Sequence, residues 1–412
     1  MMSDKDDGDQ IPRDSRPELS EKSLLNIVWN SQNFPIDVDQ NLIGLHWEGP
    51  RSLAPAEIHA SIREVVHGSD GLYKIAASQL MVGDDRVALP ISGKSTLILP
   101  ILIPLIHELE QIGVKTDNII IICEQNEFDD LKTALGPDLQ VVIHNAPNIQ
   151  DWSYLASTQA GTRVYLNRNM LDSDVIIPVI AAEPHGDGMK KGFMHGLWPT
   201  FSDFQTQKAM QLKFRENPRK RKQVLKEIQE VLWLGGFHLA VTIMPGADGP
   251  ASVVAGRPSD IQKMVYPQIN KNWNCNIQQT DAQNVLLSAY GDSNAKIGWP
   301  ELLQIIRNTL LLRKFNQVVL SLDLEEAAID SMASLATHGE TISDRSAQRL
   351  FRKLLKLASD QKIYILSNIP ESITDDLNLI HLESQKELAN LLNRSRGQWL
   401  LIEQADRVRI QN

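Results

Sequence analysis

The chain has 412 residues, 42% of them apolar, and a formal net charge of −10. That length suits two domains, each with its own core. The acid excess speaks against general affinity for nucleic acid, which depends on neutralising phosphates. The most apolar stretch, STLILPILIPLI (95–106), is too short and too proline-broken for a membrane span.

Residues 1–22 are polar and acidic, without the apolar core of a signal peptide, and read as a disordered tail. SLLNIVWN and NLIGLHWEG read as short strands. PAEIHASIREVVHG (55–68) has apolar residues at helical spacing, with Pro55 suited to the first turn. DDRVALPIS is a strand, and 95–113 reads as a helix from about residue 100. DNIIIICEQ is β-rich throughout, the pattern of a strand covered on both faces. A helix ending at Gly136, the strand LQVVIHNA and the run SDVIIPVIAA follow. Strand, helix and strand in alternation predict an α/β domain with a mainly parallel sheet.

Past residue 200 a helix precedes an antiparallel pair, FHLAVTIMPG and PASVVAG, around the turn ADG. The basic run at 213–226 leads into EIQEVLW and reads as a solvated helix face. Residues 258–280 are the candidate junction, after which the α/β alternation restarts and ends on the strand WLLIEQ. The expected organisation is therefore an acidic tail (1–22), an N-terminal α/β domain (23–265) and a C-terminal α/β domain (275–412). Cys123 and Cys275 are far apart and have no CxxC partner, which fits two buried reduced thiols in a cytoplasmic protein.

ISGKST (91–96) looks like part of a phosphate loop, but position 88 is Ala, and a β-branched run with Pro100 separates it from the expected helix. The loop still ends a parallel-type strand, where α/β folds place ligands. Lys94 there either faces an anionic group or is a solvated loop lysine. The histidines show no HxH or HExxH pattern, so a hydrolytic zinc site is not indicated. The stretch EPHGDGMKKGFMHGLWP (183–199) stands apart. It follows a buried-looking strand, and Gly186 and Gly188 would let a ligand approach the backbone closely. His185 reads either as a proton-transfer group or as a packing residue at the strand end.

These residues, with GTRVYLNRNMLDSDVIIPVIAAEPH (161–185), VVIHNAPN, SVVAGRPSD and NVLLSAYGDSNAKIGWPELLQ in order along the chain, resemble the nickel-pincer-dependent lactate racemases, the LarA-like proteins. The resemblance implies two α/β domains with the site in the cleft between them, and an isomerase of 2-hydroxy acids. It also implies a nickel-pincer cofactor tethered through a lysine, a histidine on the nickel, and proton-transfer histidines on both faces of the substrate.

Carried over residue by residue, His185 falls on the catalytic histidine of the family's EPH motif. Lys296 falls on a second-domain site lysine, with Asp292 where the family has tyrosine. The tethering lysine's position falls on His195, which reads either as a new metal or cofactor contact or as a loop histidine filling the lysine's space. Lys190 and Lys191 stand a few residues early. The nickel histidine is expected near Gln211, yet no histidine lies between His195 and His238. The loop of the second catalytic histidine reads EQNEF (124–128), and SGKST replaces the family's arginine-bearing SDxTRP. Lys94 keeps the charge there without the two-point grip of arginine.

Two expectations follow. The chain is a divergent family member that binds a small anionic hydroxy acid in the cleft, with His185 as acid/base group, Lys94 and Lys296 as anion contacts, and Gly186, Gly188 and Asp292 beside the ligand. Alternatively it is an inactive paralogue that binds a metabolite or a protein. The sequence leaves open whether any metal or pincer cofactor binds, and the oligomeric state.

Overall fold

A run such as Ile119–Cys123 demands cover on both faces, because it offers no polar side to water. In the computed structural model all of its residues are buried. The structure describes residues 22–29, 32–68, 76–185, 194–216, 221–289, 296–338 and 345–411. The proposed acidic tail lies outside them, apart from Lys22.

The chain opens with the hairpin β1 (Lys22–Trp29) and β2 (Gln32–Asp39), followed by β3 (Ile43–Trp47) and α1 (Pro55–His67). Then come β4 (Val87–Ser92), α2 (Ser95–Gln111), β5 (Ile119–Cys123), α3 (Gln125–Leu135) and β6 (Gln140–Ile143). A second hairpin, β7 (Trp152–Ser157) and β8 (Arg163–Asn167), leads through α4 (Arg168–Leu171) to β9 (Val175–Ile176) and β10 (Val179–Ala181). Helices α5 (Phe204–Glu216) and α6 (Arg221–Leu234) precede β11 (Ala240–Pro245) and β12 (Pro250–Gly256).

Seven of these strands form one sheet in the order β12-β11-β10-β4-β5-β6, with β9 beside β4. Every pair is parallel except β11 with β12, the antiparallel hairpin that the sequence predicted. From β4 the chain works outward to β5 and β6; from β10 it works outward the other way. The strand order therefore reverses between β4 and β10.

Helix α2 begins at Ser95, not near residue 100, and Pro100 and Pro104 lie inside it. A proline within a helix costs about 3 kcal/mol. Leu97, Ile98, Ile101, Leu102, Leu105 and Leu109 are buried on this helix. At about 1.5–3 kcal/mol for each enclosed side chain, their burial outweighs both prolines. Local propensity is the wrong guide here, because tertiary burial contributes more than the two prolines cost.

The second half runs through α7 (Pro258–Met264), α8 (Tyr266–Asn272), β13 (Asn274–Asn276), β14 (Asn284–Ser288), β15 (Lys296–Ile297) and α9 (Trp299–Ile305). It continues with β16 (Gln317–Ser321), β17 (Asp323–Leu324), α10 (Glu326–His338), α11 (Arg345–Asp360) and β18 (Lys362–Leu366). It closes with α12 (Glu371–Asp376), β19 (Ile380–His381), α13 (Gln385–Arg394), β20 (Trp399–Ile402) and β21 (Arg409–Gln411). Its sheet has the order β19-β18-β16-β14-β20-β3, parallel throughout, and reverses between β14 and β20. The fold is thus α/β with two mainly parallel sheets.

β3, which lies within residues 23–265, joins the second sheet and not the first. β3 pairs with β20, placing Leu45 beside Leu400 and Trp47 beside Ile402. Leu25, Ile27, Ile36 and Val38 of the first hairpin pack with Leu286, Val319 and Leu401 of the second sheet. Within residues 258–280, the candidate junction, Trp273, Cys275 and Ile277 are buried in a core that runs continuously between the two sheets. Both cysteines are buried and unpaired, and burial pushes their thiols up to about 12.

Candidate functional site

In a doubly wound sheet, helices from the two directions diverge where the strand order reverses, leaving a crevice at the strands' carboxyl ends. Here both sheets contribute to one such place. A cavity of about 70 Å³ is lined by Gly93 and Lys94 after β4, and by Ala181, Ala182, Glu183 and Pro184 at the end of β10. The second half adds Glu301 and Gln304 from α9, and Asp406 and Arg407 just after β20.

The first wall is set by close packing. Gly93 has φ +127°, and a Cβ there would come within 2.5 Å of the Ala181 Cβ. Only glycine fits this approach of the β4 loop to β10. Lys94 caps α2 with its carbonyl, which accepts from the N–H groups of Leu97 and Ile98 at 2.9 and 3.0 Å. The ISGKST loop therefore does open directly into a helix.

The second wall is a network. Gln304 Nε2 donates to the Pro184 carbonyl at 3.2 Å and to the Asp406 carbonyl at 2.5 Å, so one side chain ties the two halves together. Arg407 donates to Gln404 Oε1 at 2.8 Å and lies over the Trp273 ring, 5.6 Å from its centroid. Its Nε is 3.9 Å from Asp406 Oδ2. Gln404 holds a left-handed φ of +52° and His185 one of +51°. Left-handed backbone is costly for residues with a side chain and concentrates at functional sites. Two of the three such residues in the described chain flank this cavity, the third being Asn378.

His185 adjoins the cavity but is not part of its lining. Its N–H donates to Asn270 Oδ1 at 2.7 Å, and its carbonyl accepts from Arg307 at 3.2 Å. The ring is turned to the main chain of Trp273 and Asn270, and its Nε2 is buried without a hydrogen-bond partner among the described residues. Burial, aided by the nearby charges of Arg409 and Arg307, pushes its pKa down to about 4. The imidazole is therefore neutral at physiological pH.

Of the other sequence-predicted residues, Lys94 lines the cavity and Lys296 does not. Lys296 sits half-buried on β15, in register with Asp323 of β17. His195 lies in the 3₁₀ turn Met194–Gly196. A Cβ on Gly196 would meet the Ser92 side chain at 2.8 Å, so this turn lies directly against the end of β4. Gly186, Gly188, Lys190, Lys191 and Asp292 fall outside the described residues. Sequence reasoning missed Glu183, Glu301, Gln304, Asp406 and Arg407. The available signal for the last two was position: they follow the predicted final strand WLLIEQ at its carboxyl end.

Residues 58–199, which include α2, the β4 loop and the EPH segment, match the family model of the lactate racemase N-terminal domain. This segment belongs to the lactate racemase N-terminal domain family. The whole structure of the chain resembles the lactate racemase apoprotein from Thermoanaerobacterium thermosaccharolyticum. The TM-score is 0.65 at 12% identity, covering 95% of this chain and 100% of that one. A protein from Thermotoga maritima is similar over 89% of this chain and 99% of its own, with TM-score 0.52 and 11% identity. At these identities the likeness to solved structures is one of fold. No curated protein matches this chain by sequence. Among its described residues no helix is long and apolar enough to cross a membrane.

Proposed function

We propose that this lactate racemase-like protein binds a small anionic hydroxy acid in the cavity between its two sheets. The observation that carries this reading is the pair of cations on the lining, Lys94 from the first half and Arg407 from the second. A guanidinium offers the planar two-point contact to a carboxylate that lysine lacks. Arg407 would thus supply from the second half what the SGKST loop has lost. The cavity's small volume favours a ligand of few heavy atoms.

The donor set at this cavity does not fit a nickel pincer: its described lining contains neither histidine nor cysteine. Inversion by the family's route also needs a proton acceptor on each face of the substrate. His185, the histidine at the end of β10, is neutral and turned toward Trp273. These observations favour binding without racemisation, the reading of an inactive paralogue that holds a metabolite.

Calorimetric titration of the full chain with D- and L-lactate tests the binding. Lys94→Ala and Arg407→Ala should each weaken it by about tenfold, the scale of a charge-assisted contact. Unchanged affinity in both variants would remove the cavity from consideration. Intact mass and nickel content after co-expression with cofactor-synthesis enzymes test the second part. Bound nickel with a cofactor-sized mass would restore the racemase reading.

A further inference from the structure

A buried carboxylate normally has its oxygens satisfied, because leaving one without a donor forfeits the hydration it had in water. Asp406 departs from this rule at the cavity. It is only 5% exposed, and its Oδ1 is buried with no hydrogen-bond partner among the described residues. The other oxygen, Oδ2, faces Arg407 Nε at 3.9 Å. One side of the carboxylate thus meets the guanidinium while the other awaits a donor.

The backbone beneath it is fixed on all sides. Gln304 holds the Asp406 carbonyl, Ala405 N–H bonds the Ser288 carbonyl at 2.8 Å, and Arg407 N–H bonds the Gln404 carbonyl at 2.9 Å. The left-handed Gln404 begins this turn. A side chain set on a strained turn held by these hydrogen bonds is already in place before any ligand arrives.

We propose that Asp406 recognises the hydroxyl group of the ligand, and so makes the cavity select 2-hydroxy acids over 2-keto acids. The inference rests on the reading that a small hydroxy acid binds here. Lys94 and Arg407 hold the ligand's carboxylate, and Asp406 Oδ1 accepts the hydrogen of the hydroxyl on the adjacent carbon. An ionised carboxylate is an acceptor only. A keto oxygen in the same place brings a second acceptor and no hydrogen, so the contact becomes repulsive. Sites built to bond one polar group reject analogues lacking it far more strongly than apolar pockets reject a change of size.

The test is calorimetric titration of the full chain and of Asp406→Asn with L-lactate, D-lactate and pyruvate, with Glu371→Gln, an exposed position on α12 away from the cavity, as control. Wild type should bind the better lactate enantiomer at least about tenfold more tightly than pyruvate, the worth of one hydrogen bond to a charged group. Asp406→Asn should bring the two acids within about twofold, because its amide can donate to a keto oxygen. Glu371→Gln should leave the preference intact. Equal affinity of wild type for lactate and pyruvate overturns the proposal, as does a preference that survives Asp406→Asn or disappears in Glu371→Gln. If Asp406→Asn does not fold, 2-methoxypropionate replaces it as the probe on wild type. That compound keeps the oxygen but has no hydroxyl hydrogen, and binding as tight as lactate's would be equally fatal. Failure of wild type to bind any of these acids defeats the hydroxy-acid reading itself, a result distinct from binding without discrimination.

Discussion

Two histidines show how one residue type takes opposite electrical roles. His185 is held neutral: its pKa falls from an ordinary 6.5 to about 4, chiefly through burial. The unfolded chain therefore takes up this proton more readily than the fold. Stability should fall as pH drops from about 6.5 to about 4, by on the order of 1–2 kcal/mol after solvent screening of the partly exposed ring. His185→Asn, which tolerates the left-handed φ, should remove that part of the slope. Urea unfolding at pH 7 and pH 4.5 measures it, and an identical slope in both proteins would show that another group is responsible.

His46 shows the reverse. Burial alone would pull its pKa down, but the hydrogen bond to Glu403 and the charges of Glu403 and Glu48 raise it. Its ring nitrogens lie 3.0 Å from Glu403 Oε1 and 3.3 Å from Glu48 Oε1. Its contribution to stability is complete below pH 6.5 and is lost as pH rises through the folded value. Glu403→Gln should lower the His46 titration midpoint seen by NMR and cost about 1 kcal/mol at pH 6.

At the scale of elements, the cavity depends on how closely β4, β10 and the 194–196 turn approach. Gly93→Ala puts a methyl group 2.5 Å from the Ala181 Cβ and strains a φ of +127°. A loss of about 1–3 kcal/mol is expected from the overpacking alone. Gly136 also has positive φ, +77°, but nothing lies within 4 Å of an added Cβ. Gly136→Ala should therefore cost only the strain of an extended backbone at positive φ, about 1–3 kcal/mol. Thermal unfolding of the two variants compares them directly. Equal losses would mean that contact with β10 contributes nothing.

For the whole molecule, the decisive feature is that the chain's first strands complete its last sheet. β3 covers the edge of β20, and the β1–β2 hairpin covers one face of the second sheet. Deleting residues up to Trp47 should expose that face and edge, an arrangement prone to association. Hydrogen exchange should then show reduced protection in β14, β16 and β20, while β4 and β5 change least. Uniform loss across both sheets would instead mark the two halves as one cooperative unit, through the core they share.

The sequence by itself determined the class of fold, because apolar runs such as Ile119–Cys123 and the alternation of strand with helix are local patterns. It also located the β4 loop and the EPH segment, since glycine, proline and histidine mark a strand's end wherever it packs. It misplaced the start of α2, where Pro100 and Pro104 outweigh the burial that keeps the helix intact only when burial cannot be seen. The pairing of β3 with β20 was invisible, because a strand's pattern tells which faces are covered but not by which partner. The cavity was half legible for the same reason. Lys94 announced itself beside Gly93, whereas Asp406 and Arg407 sit in the ordinary-looking QADRVR. Only the tertiary structure set them opposite Lys94, by bringing the reversal points of two parallel sheets face to face and tying them through Gln304.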